Sequence, residues 1–204
     1  EPTDARWHGV YRAGGIAALV MLAFILIQIP LFLASPPPDT AAGFFALLQE
    51  NWFLGLLSLD LLYLVDSALL ILIYLALYLS LRRAGESAMA IGFALGMVGI
   101  AAYFASNTAF EMLTLSNLHA AAADDAGRAI YLAAGEAMVA TWTGTAFDVY
   151  YVLNAIALLI FSAVMLRSEV FSPATAYLGI VAGVLMAVPS SAGTIGVYFA
   201  VLSL

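Results

Sequence analysis

Trp52-Phe-Leu-Gly-Leu-Leu-Ser-Leu-Asp60-Leu-Leu-Tyr-Leu-Val-Asp66-Ser-Ala-Leu-Leu-Ile-Leu-Ile-Tyr74-Leu-Ala-Leu-Tyr78-Leu-Ser-Leu81-Arg82-Arg83 decides the fold. The stretch is apolar almost throughout and long enough as a helix to cross a hydrocarbon layer about 30 Å thick. A pair of arginines closes it. Two aspartates inside it need a reason, because an ionisable side chain within a span costs about 2.5–3.5 kcal/mol on insertion scales.

The rest of the chain has the same character. Of 204 residues, 65% are hydrophobic and 9% charged, whereas a soluble domain carries roughly a quarter charged residues. So little charge cannot cover a water-exposed surface, and lipid is the solvent that tolerates the remainder. Cysteine is absent, which excludes disulfides, thiolate catalysis and cysteine-held metal or iron–sulfur sites. The net charge is −7, and all six basic residues are arginines. No basic stripe can form against phosphates, so nucleic acid is not an expected partner. Lack of lysine alongside abundant alanine is associated with GC-rich bacterial genomes. The opening Glu1-Pro-Thr-Asp4 has no basic n-region, and no removable signal peptide is expected.

Upstream, Gly14–Ala34 forms a first span that ends at Ser35-Pro36-Pro37-Pro38-Asp39, where a helix cannot continue. Thr40 can cap the next helix. The run from Ala41 to Leu81 would be roughly 60 Å long as one helix, so a break is expected around Gln49-Glu50-Asn51. This leaves a short interfacial or re-entrant helix over 41–49 and a second span over 52–81. Arg82 to Glu86 reads as a polar turn, with Ser87 capping a third span, 87–106. Residues 107–143 are too polar to cross and form an outer cap. In this cap Thr108 and Glu111 have capping-box spacing, and Asp124-Asp125 starts a helix carrying Tyr131, Ala134, Met138 and Trp142 on one stripe. A fourth span covers 145–166 and a fifth 173–188, opened by Ser172-Pro173. After Pro189, residues 194–204 are apolar but too short to span: either Pro189 kinks one long helix or, the favoured reading, a sixth span is cut off at Leu204. The expected architecture is all-α: one membrane domain, a polytopic bundle of five to six spans with extracytoplasmic surface helices.

Arginine placement sets the expected orientation. With the N-terminus in the cytoplasm, Arg6, Arg12, Arg82, Arg83 and Arg167 fall inside and only Arg128 outside, as the positive-inside rule requires. Trp52 and Trp142 then lie at the outer interface, and Trp7 with Tyr11 at the inner one. The expected location is a bacterial cytoplasmic (inner) membrane.

On a helical wheel at 100° per residue, Asp60, Tyr63, Ser67, Tyr74 and Tyr78 fall within about 60° of one another, while Asp66 lies about 120° from Asp60. With no lysine and no arginine inside the span, neither aspartate has a salt-bridge partner there. Each must be hydrogen-bonded, hydrated or protonated. Asp148 sits in the first turn of the fourth span, where a carboxylate complements the helix N-terminus. Asn107 opens the cap, and Asn154 is placed to face the second span. The candidate ligand-binding set is therefore Asp60, Tyr63, Asp66, Ser67, Asn107, Asp148 and Asn154. His119 with Asp124 and Asp125 lacks ligand spacing, and no metal or cofactor is expected. Gly92/Gly96 and Gly179/Gly183 are small-xxx-small faces that permit close helix packing, within the chain or in a homo-oligomer. No phosphate-cradling loop, nucleophile elbow or zinc-protease pair occurs, and no catalytic residue is assigned.

Ser80-Leu-Arg-Arg83, Ser106-Asn-Thr-Ala-Phe110, Leu132-Ala-Ala-Gly-Glu-Ala-Met138, and Leu166-Arg-Ser168 followed by Ala176-Tyr-Leu-Gly-Ile180 give the chain a further reading. It resembles an uncharacterised bacterial multi-pass family, domain of unknown function 4386. The resemblance implies a six-span membrane protein and supplies no reaction. Two readings of function follow from the residues. One is a membrane protein that binds a small polar ligand, lipid head group or proton in an outward-facing polar cavity. The other is a non-catalytic accessory subunit of a larger membrane complex. An intramembrane lipid hydrolase ranks last, because histidine and cysteine are so scarce, and the balance is against an enzyme.

Overall fold

A computed structural model describes residues 5–203. Glu1 to Asp4 and Leu204, on which the expectations about a signal peptide and a cut-off span fall, lie outside the described residues. The described chain is helical, without strands. Its helices are α1 (His8–Ala34), α2 (Ala41–Glu50), α3 (Trp52–Ser58), α4 (Leu61–Ser106), α5 (Ala109–Ala121), α6 (Asp125–Trp142), α7 (Thr145–Met165), α8 (Pro173–Met186) and α9 (Thr194–Ser203). Three helical stretches are long and apolar enough to cross a membrane: His8–Ala34, Leu61–Ala121 and Asp125–Met165. Their apolar side chains face outward. Leu19 is 69% exposed and Leu33 80%, a surface that hydrocarbon covers and water does not. The protein is an all-α helical bundle of the membrane.

Where the sequence reading takes one membrane domain, the contacts of the chain group into two units. The first contains the chain up to Met21, Ser67–Ala105 and everything from Thr145 onward; the second contains Leu22–Asp66 and Ser106–Gly144.

In the first unit, α4 departs from helical geometry at Gly85 (φ −174°, ψ 73°), within the polar turn expected at 82–86. The arms on either side fold together. The rings of Tyr78 and Phe93 lie 5.6 Å apart, and a Cβ on Gly96 would collide with the Tyr74 ring. Both pairs are roughly symmetric about Gly85, so the arms run antiparallel. The second arm packs on α7 in the same sense: Gly92 meets Phe161, Gly96 meets Ala157, and Gly99 meets Asn154. The other face of α7 receives α8, with Gly179 against Ser162 and Gly183 against Leu159. Both small-xxx-small faces are thus occupied inside the chain, and backbones approach closely where side chains are missing. Gly14 brings α1 onto the first arm, at Ala76 and Leu72.

The second unit has its own apolar core. Phe44, Phe45 and Leu48 of α2, Leu56 of α3, Leu59, and Ala109 and Met112 of α5 are buried together, with Met138 and Trp142 of α6 packed on them. Phe44 and Trp142 meet edge to face at 5.7 Å, and the Phe45 and His119 rings lie tilted against each other at 5.3 Å. Polar groups tie the helices across this core. Gln49 Nε2 donates to Ser116 Oγ (3.0 Å) and Asn117 Oδ1 (2.9 Å), and Ser116 Oγ donates to the Phe45 carbonyl. The Ala41 amide donates to Glu136 Oε1 at 3.0 Å.

Local chemistry explains most helix boundaries. Thr40 Oγ1 accepts from the Gly43 amide, Asp124 Oδ1 from Gly127 and Ser172 Oγ from Thr175, each an N-cap. Asn51 ends α2 and caps α3, its Oδ1 accepting from the Leu54 amide at 3.1 Å. Two expectations are corrected. The second apolar helix is not continuous from Trp52, because it is interrupted at Leu59-Asp60 and resumes at Leu61. The Thr108–Glu111 capping box does not form. The Thr108 hydroxyl donates instead to the Met138 carbonyl (3.2 Å), and Asn107 Oδ1 takes the Ala109 amide (3.1 Å). A buried hydroxyl goes to the carbonyl that the tertiary fold presents, and the cap passes to the neighbouring asparagine.

Candidate functional site

The interruption before α4 is built by Asp60. Its φ of 64° places it in the left-handed region, which asparagine and aspartate enter more readily than other side chains bearing Cβ. The Asp60 amide donates to the Leu57 carbonyl (3.2 Å), closing α3, while the Asp60 carbonyl accepts from the Leu64 amide (3.0 Å), opening α4. One residue therefore ends one helix and begins the next. Its side chain is free of capping duty and accepts the indole N–H of Trp142 at Oδ2, 2.9 Å away. Beside it, Asn107 Nδ2 donates to the Leu59 carbonyl at 3.0 Å. Asp60 precedes the helix long enough to span. Burial pushes its carboxyl up to about 6, against the opposing pull of the Trp142 hydrogen bond.

Tyr63 and Asp66 lie one turn apart on one side of α4, and Ser67 is the next residue along it. Asp66 and Ser67 are each only 2% exposed. Neither Asp66 carboxyl oxygen, nor the Ser67 hydroxyl, has a hydrogen-bond partner among the described residues. A buried polar group without a partner costs about 1–3 kcal/mol, and a charged one more, so this carboxyl stands out in the molecule. Tyr63 is half-buried and engaged in interactions of its own.

Asn154 and Asp148 lie in the first unit and are occupied there. Asn154 is fully buried; its Oδ1 accepts from Tyr74 OH at 2.8 Å, and its Nδ2 donates to the Tyr150 carbonyl at 3.0 Å. Tyr74 packs edge to face on Phe161, 5.1 Å between centroids. Asp148 Oδ1 accepts from the Ser191 hydroxyl in the short turn between α8 and α9, where Ser190 Oγ also donates to Tyr151 OH at 3.3 Å. The candidate residues thus fall into separate groups: Asp60 and Asn107 at the break, Tyr63, Asp66 and Ser67 on α4, and Asn154 and Asp148 each with partners of the first unit.

Two participants escape a reading by sequence alone. Trp142 reads as an interface aromatic, yet its indole N–H donates to the Asp60 carboxylate. The signal is general: a Trp N–H that is not in water needs an acceptor. Ser191 lies in a Pro-Ser-Ser-Ala-Gly turn with nothing local to connect it to Asp148, 43 residues away.

A family model described as Domain of unknown function (DUF4386) matches residues 15–203. The chain belongs to this family. No curated protein matches it, and no solved structure does. The DUF4386 region includes every residue of the candidate set, from Asp60 to Asn154. The family description names no reaction, so the chemistry of a DUF4386 protein has to be argued from its own side chains.

Proposed function

We propose that this is a multi-pass protein of a bacterial cytoplasmic membrane, with its N-terminus in the cytoplasm, that binds a proton or a small monovalent cation at Asp66. The single observation carrying this reading is the Asp66 carboxyl, 2% exposed, with both oxygens lacking a hydrogen-bond partner among the described residues. A carboxylate in such a setting is neutralised by a proton or a cation, and intramembrane acids of this kind mark ion and proton pathways. Tyr63, one helical turn before Asp66 on α4, supplies a hydroxyl of the kind that completes a small-ion shell. Asp60, at the start of the same helix and poised to titrate near neutrality, is suited to pass a proton toward it from the extracytoplasmic side. The spans in this reading are α1, the two arms of α4, α7 and α8.

The accessory-subunit reading draws its support from the glycine faces. Those faces pack against α7 and Tyr74 within the chain, which favours the ion-binding reading over oligomerisation through them.

Infrared difference spectra of the purified protein, recorded against pH and against sodium or potassium, test the proposal. A protonated-carboxyl band, or a cation-dependent shift of a carboxylate band, is expected in the native protein and should vanish in Asp66→Asn. A spectrum and a thermal stability that respond to pH and cation identically in both proteins would overturn it.

A further inference from the structure

At the end of the first unit where α1 starts and the α4 hairpin turns, arginines from two distant segments converge on one cavity. Arg82 and Arg83 come from the hairpin turn and Arg167 from the segment that follows α7; they line a cavity of about 880 Å³. Among the described lining residues, Glu169 is the single carboxylate, so the mouth carries an excess of positive charge. Trp7, just before α1, and Tyr11, in its first turn, stand beside the arginines.

Beyond this mouth the cavity changes character. It continues between Gly14, Gly15 and Ala18 of α1 and Ile73, Ala76 and Leu77 of α4, with apolar walls. From Trp7 to Ala18 it follows α1 for about three turns, roughly 16 Å. Gly15 faces open space, since a Cβ there would meet nothing within 4 Å. The cavity thus has a cationic head region, an aromatic collar and an apolar trough in line. This is the polarity sequence of a phospholipid: phosphate, glycerol and acyl chain.

We infer that this cavity binds an anionic phospholipid, its phosphate held by Arg82 and Arg167 and one acyl chain lying along the Gly14–Ala18 face of α1. Guanidinium groups match phosphate oxygens bidentately, and basic pockets between membrane helices hold anionic head groups. A free phosphate would use the arginines alone and leave the trough unused, whereas a zwitterionic lipid would bring a second cation into a region already positive. The site is independent of Asp66.

Native mass spectrometry of the full chain in zwitterionic micelles, with added phosphatidylglycerol, phosphatidylcholine or water-soluble glycerol phosphate, tests the inference. Phosphatidylglycerol adducts are expected to exceed phosphatidylcholine adducts and to fall with rising salt. The double variant R82Q/R167Q should weaken phosphatidylglycerol binding about thirtyfold, from roughly one decade and a half of lost phosphate attraction. Arg83 has an interaction of its own and is kept. Gly15→Leu, which fills the trough without touching an arginine, should weaken the lipid and leave glycerol phosphate binding unchanged. Equal retention of the two lipids, or undiminished phosphatidylglycerol binding in R82Q/R167Q, would overturn the inference. So would displacement of the lipid by an equal concentration of glycerol phosphate, which would mark a site for soluble anions. Should R82Q/R167Q not fold, Gly15→Leu decides: undiminished lipid binding there overturns it equally.

Discussion

At Asp60, backbone and side chain answer to different demands. The left-handed φ of 64° favours aspartate, asparagine or glycine, while the carboxyl meets the Trp142 indole away from bulk water. Asp60→Asn keeps the backbone preference and an oxygen acceptor for Trp142 but removes the charge. Because burial lifts the folded carboxyl to about 6, above the unfolded value near 4, the folded state binds the proton more tightly. The associated stability is complete below about pH 4 and is lost as pH rises through 6, by up to about 3 kcal/mol. The native protein should therefore lose thermal stability between pH 4.5 and 7 by an amount that Asp60→Asn does not show. Parallel Tm profiles for the two proteins would refute this assignment. Tyr74 makes a second residue-level case. Tyr74→Phe leaves the fully buried Asn154 oxygen without its donor and should cost about 1–2 kcal/mol in a denaturant titration. Both pairings join residues about 80 positions apart. Composition singles out the polar members as needing partners, but only the fold says which partners they are.

At the level of helices, glycines are the contacts that set the bundle. A side chain at Gly96 would enter the Tyr74 ring and press on Ala157, wedging the α4 hairpin apart and lifting it from α7 together. Gly96→Val should destabilise the bundle by about 1–3 kcal/mol, the usual range for overpacking. Gly9, also helical but with open space around its missing Cβ, should respond in the opposite direction. Gly9→Ala should raise the unfolding midpoint slightly, since alanine loses less backbone entropy in a helix than glycine does. A comparable gain in both variants would mean that helix propensity, not close approach, governs these positions. Element boundaries divide along the same line. The breaks at Asn51 and Asp124 are visible in sequence because their caps are local, three residues from donor to acceptor. The break at Leu59-Asp60 is not, since no glycine or proline marks it. Its aspartate looks, on a helical wheel, like one more member of a polar stripe.

For the whole molecule, charge and geometry make separate statements. The arginine distribution gives a direction across the membrane, which reporter fusions will check: a fusion after Arg83 should report cytoplasmic and one at Asp125 external, and the reverse pattern would invert the topology. The division into two units arises from segments far apart in the chain, so that α2 and α3 share a core with α5 and α6. No periodicity within a single helix could announce that pairing. What the sequence by itself determined was the solvent and the helices: 65% hydrophobic residues, few charges, proline and asparagine breaks, and capping residues, all effects of composition or of neighbours within a turn. The tertiary structure alone decided which faces meet and which polar atoms are satisfied. It matched Asn154 with Tyr74 and Asp60 with Trp142, and it left the Asp66 carboxyl without a hydrogen-bond partner among the described residues. The physical reason is range. Hydropathy and capping act over one to a few residues, whereas satisfying a buried donor or acceptor depends on an atom that only folding brings to within 3 Å.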